Sequence, residues 1–282
     1  MTTLPTLAVT GSTGFVGGAV AHSLAAAGTP LRLLVRDLAR APQLPGAVAL
    51  QSTYAHTPPE ALAGVEALFM VSAAENETRR DEHFAFVDAA KAAGVKHIVY
   101  TSFVGASPDC TFTLGRDHYA TEQRIIASGM DYTFLRDNFY ADFMPMMMGE
   151  DGVIRGPAGD GRAAIVTRGD VARVATTVLT DVSAHRGATY NLTGPEALTM
   201  TEIARVIADV RGVKVSFNNE TADEAYESRK KWNAPAWQND AWVSTYTAIA
   251  NGELQQISPD IERVTGTPAT SLAEFLRAEP TA

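Results

Sequence analysis

Leu7-Ala8-Val9-Thr10 is an unbroken apolar run of strand length that gives way at once to a glycine-rich turn. Val16, Val20, Leu24 and Ala27 then recur at helical spacing up to Gly28, which stands where a helix C-cap belongs. The alternation continues. Strand-like runs occupy residues 31–36, 48–50, 67–71, 95–100 and 132–136, each bounded by Gly, Pro or polar residues. Helical patterns fill 81–93, closed by Gly94 and with Phe84, Val87 and Ala90 on one face, and 117–128, closed by Gly129. Nearly continuous apolar strands separated by helices predict an α/β fold with a doubly wound parallel sheet covered on both faces.

Beyond residue 140 the rhythm loosens. Residues 143–161 hold Met144, Met146, Met147 and Met148, two prolines and five glycines, which predicts loops and short elements. Residues 169–180 and 199–211 read as helices, the second opened by Thr199 with Glu202 three positions on, a capping-box spacing. The stretch 221–246 is polar-aromatic and largely helical in pattern. The expected division is a sheet domain over 1–140 and a smaller, mostly helical substrate lobe over 141–282, with 162–195 returning to the sheet domain.

Composition narrows the function classes. The 282 residues suffice for a real core, and 46% hydrophobic with 20% charged residues excludes a fibrous or low-complexity chain. A net charge of −9, with no Lys/Arg cluster, argues against a nucleic-acid partner. One cysteine, Cys110, excludes an intrachain disulfide and any multi-cysteine metal site, and suits a reducing cytoplasm. No apolar run is long enough for a bilayer, and the N-terminus lacks a signal-peptide pattern. The expectation is a cytoplasmic protein without membrane or metal partners.

The sharpest local signal is Gly11-Ser12-Thr13-Gly14-Phe15-Val16-Gly17, set between the first strand and the first helix. One glycine permits the tight turn, a second lets the backbone approach a pyrophosphate, and a third lets helix and sheet pack closely. No Lys-Ser or Lys-Thr follows, so a nucleoside-triphosphate loop is not indicated. The context points to a Rossmann-type dinucleotide site. The second strand ends at Arg36, followed by Asp37; a guanidinium there suits the 2′-phosphate of NADP(H), while the aspartate leaves a route to NAD(H). NADP(H) is the preferred reading.

With that spacing the turn resembles the atypical and extended short-chain dehydrogenases/reductases. Three further segments narrow the resemblance: 89–102 (AAKAAGVKHIVYTS), 117–122 (DHYATE) with 132–140 (YTFLRDNFY), and 167–172 (TRGDVA). Together they are similar to NmrA-like proteins and in particular to bacterial flavin-free NAD(P)H:quinone oxidoreductases, over nearly the whole chain. The resemblance implies that residues 11–17 hold the pyrophosphate and Arg36 the 2′-phosphate. It also implies that Ser72 and Ala73 border the ribose and phosphates, and that Thr101, Ser102 and Phe103 border the nicotinamide. Asp137, Asn138 and Arg168 match positions lining the cofactor and substrate cleft. For Arg168 a loop-fixing salt bridge to Asp170 or another neighbour is the alternative. No flavin and no metal are implied.

The chain departs from the superfamily at the Tyr-x-x-x-Lys pair: Tyr119 is followed four residues later by Gln123. Glutamine carries no charge to stabilise a phenolate, so carbonyl–alcohol chemistry using Ser102, Tyr119 and a lysine is disfavoured, and with it epimerase or dehydratase activity. Quinone reduction asks less, because the hydroquinone anion that forms is resonance-stabilised and takes its proton from solvent. Tyr119, Ser102 and His118 are the candidate catalytic groups, His118 as the titratable one. Phe103, Phe139, Tyr140, Phe143 and Met146 are candidates for an apolar acceptor pocket, with Trp232, Trp237, Trp242 and Tyr246 as a roof. The expected function is NADPH-dependent hydride transfer to a quinone or similar electron-poor small molecule. A sensor that binds NADP(H) without turnover is the alternative, and a homodimer is left open.

Overall fold

A computed structural model describes residues 4–279 of the chain. In chain order the elements are β1 (Leu7–Thr10), α1 (Phe15–Ala26), β2 (Leu31–Val35), β3 (Ala47–Gln51), α2 (Pro59–Leu62), β4 (Ala67–Met70), α3 (Arg79–Ala92), β5 (His97–Phe103), α4 (Thr113–Ser128) and β6 (Asp131–Asp137). There follow β7 (Val153–Gly156), β8 (Arg162–Ala163), α5 (Arg168–Thr180), β9 (Ala188–Leu192), β10 (Leu198–Thr199), α6 (Met200–Arg211), β11 (Ser216–Asn219), α7 (Ala222–Arg229), α8 (Ala236–Ala250), α9 (Asp260–Thr265) and α10 (Leu272–Ala278). The chain divides into two compact units. One comprises residues 4–102, Asp117–Arg136 and Val171–Tyr190; the other comprises Phe103–Arg116, Asp137–Asp170 and residues 191–279.

The first unit is built on a seven-stranded sheet of order β3-β2-β1-β4-β5-β6-β9. The pairings β1–β2, β1–β4, β2–β3 and β4–β5 are parallel. The Asp131 amide bonds the Lys96 carbonyl and the Gly187 amide the Tyr132 carbonyl, so β5, β6 and β9 also start side by side. Parallel strands buried on both faces need apolar side chains at every position. Accordingly, β1, β2 and β5 are buried throughout. Arg32 is the exception in β2: it is 1% exposed, and its guanidinium donates to the carbonyls of Ala61, Ala63 and Pro5 at 2.9–3.0 Å. Strand order reverses between β1 and β4, and a parallel α/β sheet binds ligands at the carboxyl ends beside such a reversal.

Helix α3 buries His83, Phe86, Val87 and Ala90, an i, i+3, i+4, i+7 stripe. Phe86 therefore takes the core position that the sequence pattern gave to Phe84. Phe84 lies at the stripe's edge, with the Arg124 guanidinium 5.6 Å from its ring centroid. Helix α4 begins four residues before its expected start, at Thr113. Gly115, within the added turn, allows a close approach: a Cβ there would lie 2.8 Å from the Cys110 sulfur.

The second unit packs α6, α8 and α10 around a core that includes Phe112, Met144, Ile154, Ile203 and Tyr246. Two small ladders complete it, β7 parallel to β11 and β8 antiparallel to β10. Residues 143–161 are short elements, a 3-10 segment over Ala141–Met147 and then β7. Thr199 and Glu202 form the capping box of α6, and the helix ends at Gly212 in the left-handed region.

Candidate functional site

In the first unit β1 ends at Thr10 and Gly11 turns the chain at φ +64°, a conformation that favours glycine. The Gly14 amide closes the turn on the Gly11 carbonyl at 2.9 Å. A Cβ at Gly17 would meet the Gly11 carbonyl carbon and oxygen at 2.5 Å, so the first turn of α1 lies directly on the loop backbone. Gly14 is the N-cap of α1 without a side-chain cap, and no acidic residue occupies the first helical turn. That leaves the positive end of the helix dipole free of competing carboxylates. Ser12 is 3% exposed, and its hydroxyl meets no hydrogen-bond partner among the described residues. A buried orphan hydroxyl beside an uncapped helix start fits a phosphate oxygen as the missing partner. Thr13, Gly14 and Phe15 are exposed, and Val16 is buried.

At the end of β2 the two candidate selectors have separated. The Asp37 carboxylate accepts the Ala39 amide at 3.0 Å and caps the 3-10 turn Leu38–Arg40. Arg36 is exposed, and among the described residues only its carbonyl is engaged, by Gln51 at 3.1 Å.

Beyond β4 the backbone is pinned from below. The Ser72 amide donates to Thr101 Oγ1 at 2.7 Å, the Ala73 amide to His83 Nε2 at 2.9 Å, and Arg79 Nε to the Ala73 carbonyl at 3.0 Å. His83 thus accepts at Nε2, and its other nitrogen faces Thr121 Oγ1 at 2.9 Å. Burial, then the Arg79 charge, lowers its pKa to about 3. His118 lies deeper. Arg79 Nη2 stands 3.0 Å from its Nε2 and the Tyr100 hydroxyl 3.0 Å from its Nδ1. Burial, then Arg79 and His83, holds its pKa well below the usual histidine value. A guanidinium can only donate, so His118 accepts from it as the neutral imidazole. His118, the titratable candidate, is thus braced between Arg79 and Tyr100.

Ser102 is fully buried and donates to Glu122 Oε1 at 2.6 Å. Arg136 grips the same carboxylate at 2.8 and 2.6 Å. Tyr119, the third candidate, is half-buried on α4.

The second unit gathers its candidates into three groups. Phe103, Phe139 and Phe112 form an aromatic triad with centroids 4.8–5.1 Å apart, and Phe103 and Phe112 are buried. Asn138 is spent locally, accepting the Phe139 amide and donating to the Leu254 carbonyl. Asp137 accepts from the Tyr140 hydroxyl, and Tyr140 meets the Phe143 ring edge at 5.8 Å. Burial, with the Asp137 charge next, holds the Tyr140 pKa well above the usual phenol. Arg168 donates from its backbone amide at 2.9 Å and its Nε at 2.7 Å to buried Asp142, and its guanidinium covers the Phe143 ring at 4.9 Å. Asp170 holds Thr270 through its amide and hydroxyl. Met146 is placed elsewhere, in a groove of about 520 Å³ with Trp232, Trp242 and Tyr246. Trp237 is not among the lining side chains.

Sequence reasoning passed over Arg79, His83, Glu122 and Phe112. Helical spacing carried a signal for two pairs: Arg79 with His83, and His118 with Glu122, are each four residues apart and so share a face. Among the described residues no cluster of three or more His, Cys, Asp or Glu is placed to hold a metal ion. No helix of the described residues is long and apolar enough to cross a membrane.

The family model described as NmrA-like family matches residues 4–274. The chain belongs to the NmrA-like family. This NmrA-like protein is 32% identical to an NAD(P)H azoreductase of Xenophilus azovorans, over 97% of this chain and 98% of that one. It is 33% identical to quinone oxidoreductase 2 of Escherichia coli, over 95% of this chain and 96% of the relative. The solved NADPH complex of the NADPH-dependent quinone oxidoreductase from Escherichia coli superposes with a TM-score of 0.87 at 32% identity, covering 96% of this chain and 98% of that one.

Proposed function

We infer that this NmrA-like protein is an NADPH-dependent oxidoreductase that reduces quinones or similarly electron-poor small molecules. The observation that carries the reading is its full-length likeness, at about a third identity, to a quinone oxidoreductase solved with NADPH. The geometry of the first unit supports the cofactor. Residues 11–17 offer the pyrophosphate an uncapped helix start and the Ser12 hydroxyl. Arg36 is the exposed cation for the 2′-phosphate, while Asp37, which would select NAD(H), is occupied as a cap. When bound, the reduced nicotinamide supplies the hydride.

The chain's own work in this reading is positioning. Thr101, His83 and Arg79 fix the Ser72–Ala73 backbone, and Tyr100 and Arg79 fix His118. Glu122 and Arg136 fix Ser102 at the end of β5. None of these groups is a free acid: both histidines are held neutral, and the tyrosine of the usual pair lacks its lysine. Protonation is left to solvent, which a resonance-stabilised hydroquinone anion permits. Neither flavin nor metal has a part in this reading. The cytoplasm is the proposed setting, in line with the one buried thiol, Cys110.

The test is to mix the purified protein with NADPH and a panel of small quinones and follow the loss of nicotinamide absorbance. Turnover that prefers NADPH to NADH is the expected result. Tight binding of NADP(H) with no turnover across the panel would replace the reductase by a sensor of the cofactor ratio.

A further inference from the structure

The groove of the second unit has a charge pattern that the reductase reading does not use. Its lining holds Arg155, Arg229 and Lys231 and no carboxylate, in a chain of net charge −9. Two of these cations are already balanced. Arg229 is 5% exposed, pairs with buried Glu220 at 3.1 Å and donates to the Arg155 carbonyl. Arg155 is paired with Asp151 at 2.5 Å. Lys231 differs. Its neighbour Lys230 takes Glu227, but no carboxylate pairs with Lys231 among the described residues, and its ammonium lies 4.8 Å from the Trp232 ring centroid.

The apolar lining is also unspent. Trp232 meets Trp242 edge-on at 5.6 Å yet remains 56% exposed, and Met146 is 75% exposed. Large apolar side chains held open in a concave surface mark a place where something else covers them. An indole presents a flat face, and thioethers adapt to flat rings of varied outline. About 520 Å³ accommodates two or three fused rings.

We propose that this groove is a binding subsite for a planar aromatic ligand bearing one acidic group, a carboxylate or a sulfonate. The ring lies on Trp232 and the methionines, and the acidic group meets the Lys231 ammonium. One uncompensated cation calls for one negative charge, so a monoanion is preferred to both a neutral ring and a dianion. That the ligand is also the reducible acceptor rests on the proposed function; that it binds does not.

Binding is read by quenching of tryptophan fluorescence, without nucleotide, using anthraquinone monosulfonate and its uncharged hydroxymethyl counterpart. The sulfonate is expected to bind about tenfold tighter, with the margin shrinking as salt is added. Lys231→Met removes the margin, Lys231→Arg keeps it, and Trp232→Leu weakens both ligands. Lys231 is exposed, and unchanged unfolding midpoints establish that the variants fold. Equal affinity for the two probes, no binding of either, or a margin that survives Lys231→Met overturns the proposal. NADPH oxidation with the same two probes is scored separately. A binding margin without turnover keeps the subsite and counts against the reductase reading, whereas turnover without a margin removes the subsite and keeps the reductase.

Discussion

The Ser102 hydroxyl donates to Glu122 at 2.6 Å, on a carboxylate that Arg136 already grips with two N–H groups. The serine at the end of β5 is therefore part of a buried ionic brace. Ser102→Ala removes one charge-assisted hydrogen bond and should lower stability by about 1.5 kcal/mol while leaving quinone turnover within a few fold. Glu122→Ala strands Arg136 and should cost about 3 kcal/mol. Denaturant unfolding combined with steady-state rates separates the two; a large loss of rate in a fully folded Ser102→Ala would return the serine to the chemistry.

Arg36 has no competing partner for its guanidinium among the described residues, and Asp37 is committed to Ala39. Arg36→Ala should weaken NADPH binding by about ten- to a hundredfold, the worth of a charge-assisted contact to phosphate, and leave NADH binding as it was. Titration with both nucleotides checks this. An unchanged NADPH/NADH ratio refutes the assignment.

Gly17 and Gly14 make opposite predictions from one turn. A methyl at Gly17 meets the Gly11 backbone at 2.5 Å, whereas at Gly14 it meets the Gly11 oxygen at 3.3 Å. Gly17→Ala should destabilise the fold by about 1–3 kcal/mol and abolish nucleotide binding, because backbone cannot move aside as a flexible side chain can. Gly14→Ala should fold normally. Thermal unfolding with and without NADPH reads both effects.

His83, lowered to about 3, and His118, well below its ordinary value, are both depressed first by burial and then by Arg79. Unfolded, each takes up its proton near pH 6.5. Between the folded and unfolded values the unfolded chain binds more protons, so stability rises with pH. Each contribution is complete above about pH 6.5 and falls as the pH drops toward the folded value. By about pH 5 the loss should reach about 2 kcal/mol per histidine. Urea unfolding across this range should show the slope, and His83→Gln should reduce it by one histidine's share; a flat profile in the unmodified protein contradicts the neutral assignments.

The sheet strands were legible because burial on both faces leaves apolar runs that no other element needs, as in Leu7–Thr10 and residues 97–100. The Thr199–Glu202 box and the glycine turn were legible for a related reason: a cap or a tight turn is satisfied within a few residues. Phe84 and Phe86 show the limit. Both fit an apolar face of α3, and only contact with the sheet decides that Phe86 is buried while Phe84 lies beneath Arg124.

The sequence by itself determined a parallel α/β sheet, a glycine turn after β1 and an arginine at the end of β2, because each depends on short-range spacing. Tertiary structure alone decided how the polar groups pair. Ser102 meets Glu122 across 20 positions, Arg79 meets His118 across 39, and Arg168 meets Asp142 across 26. A hydroxyl, an imidazole or a guanidinium carries the same chemistry in every sequence; whether it is a proton donor, a brace or a ligand contact depends on which groups the fold brings within 3 Å and whether water can reach them.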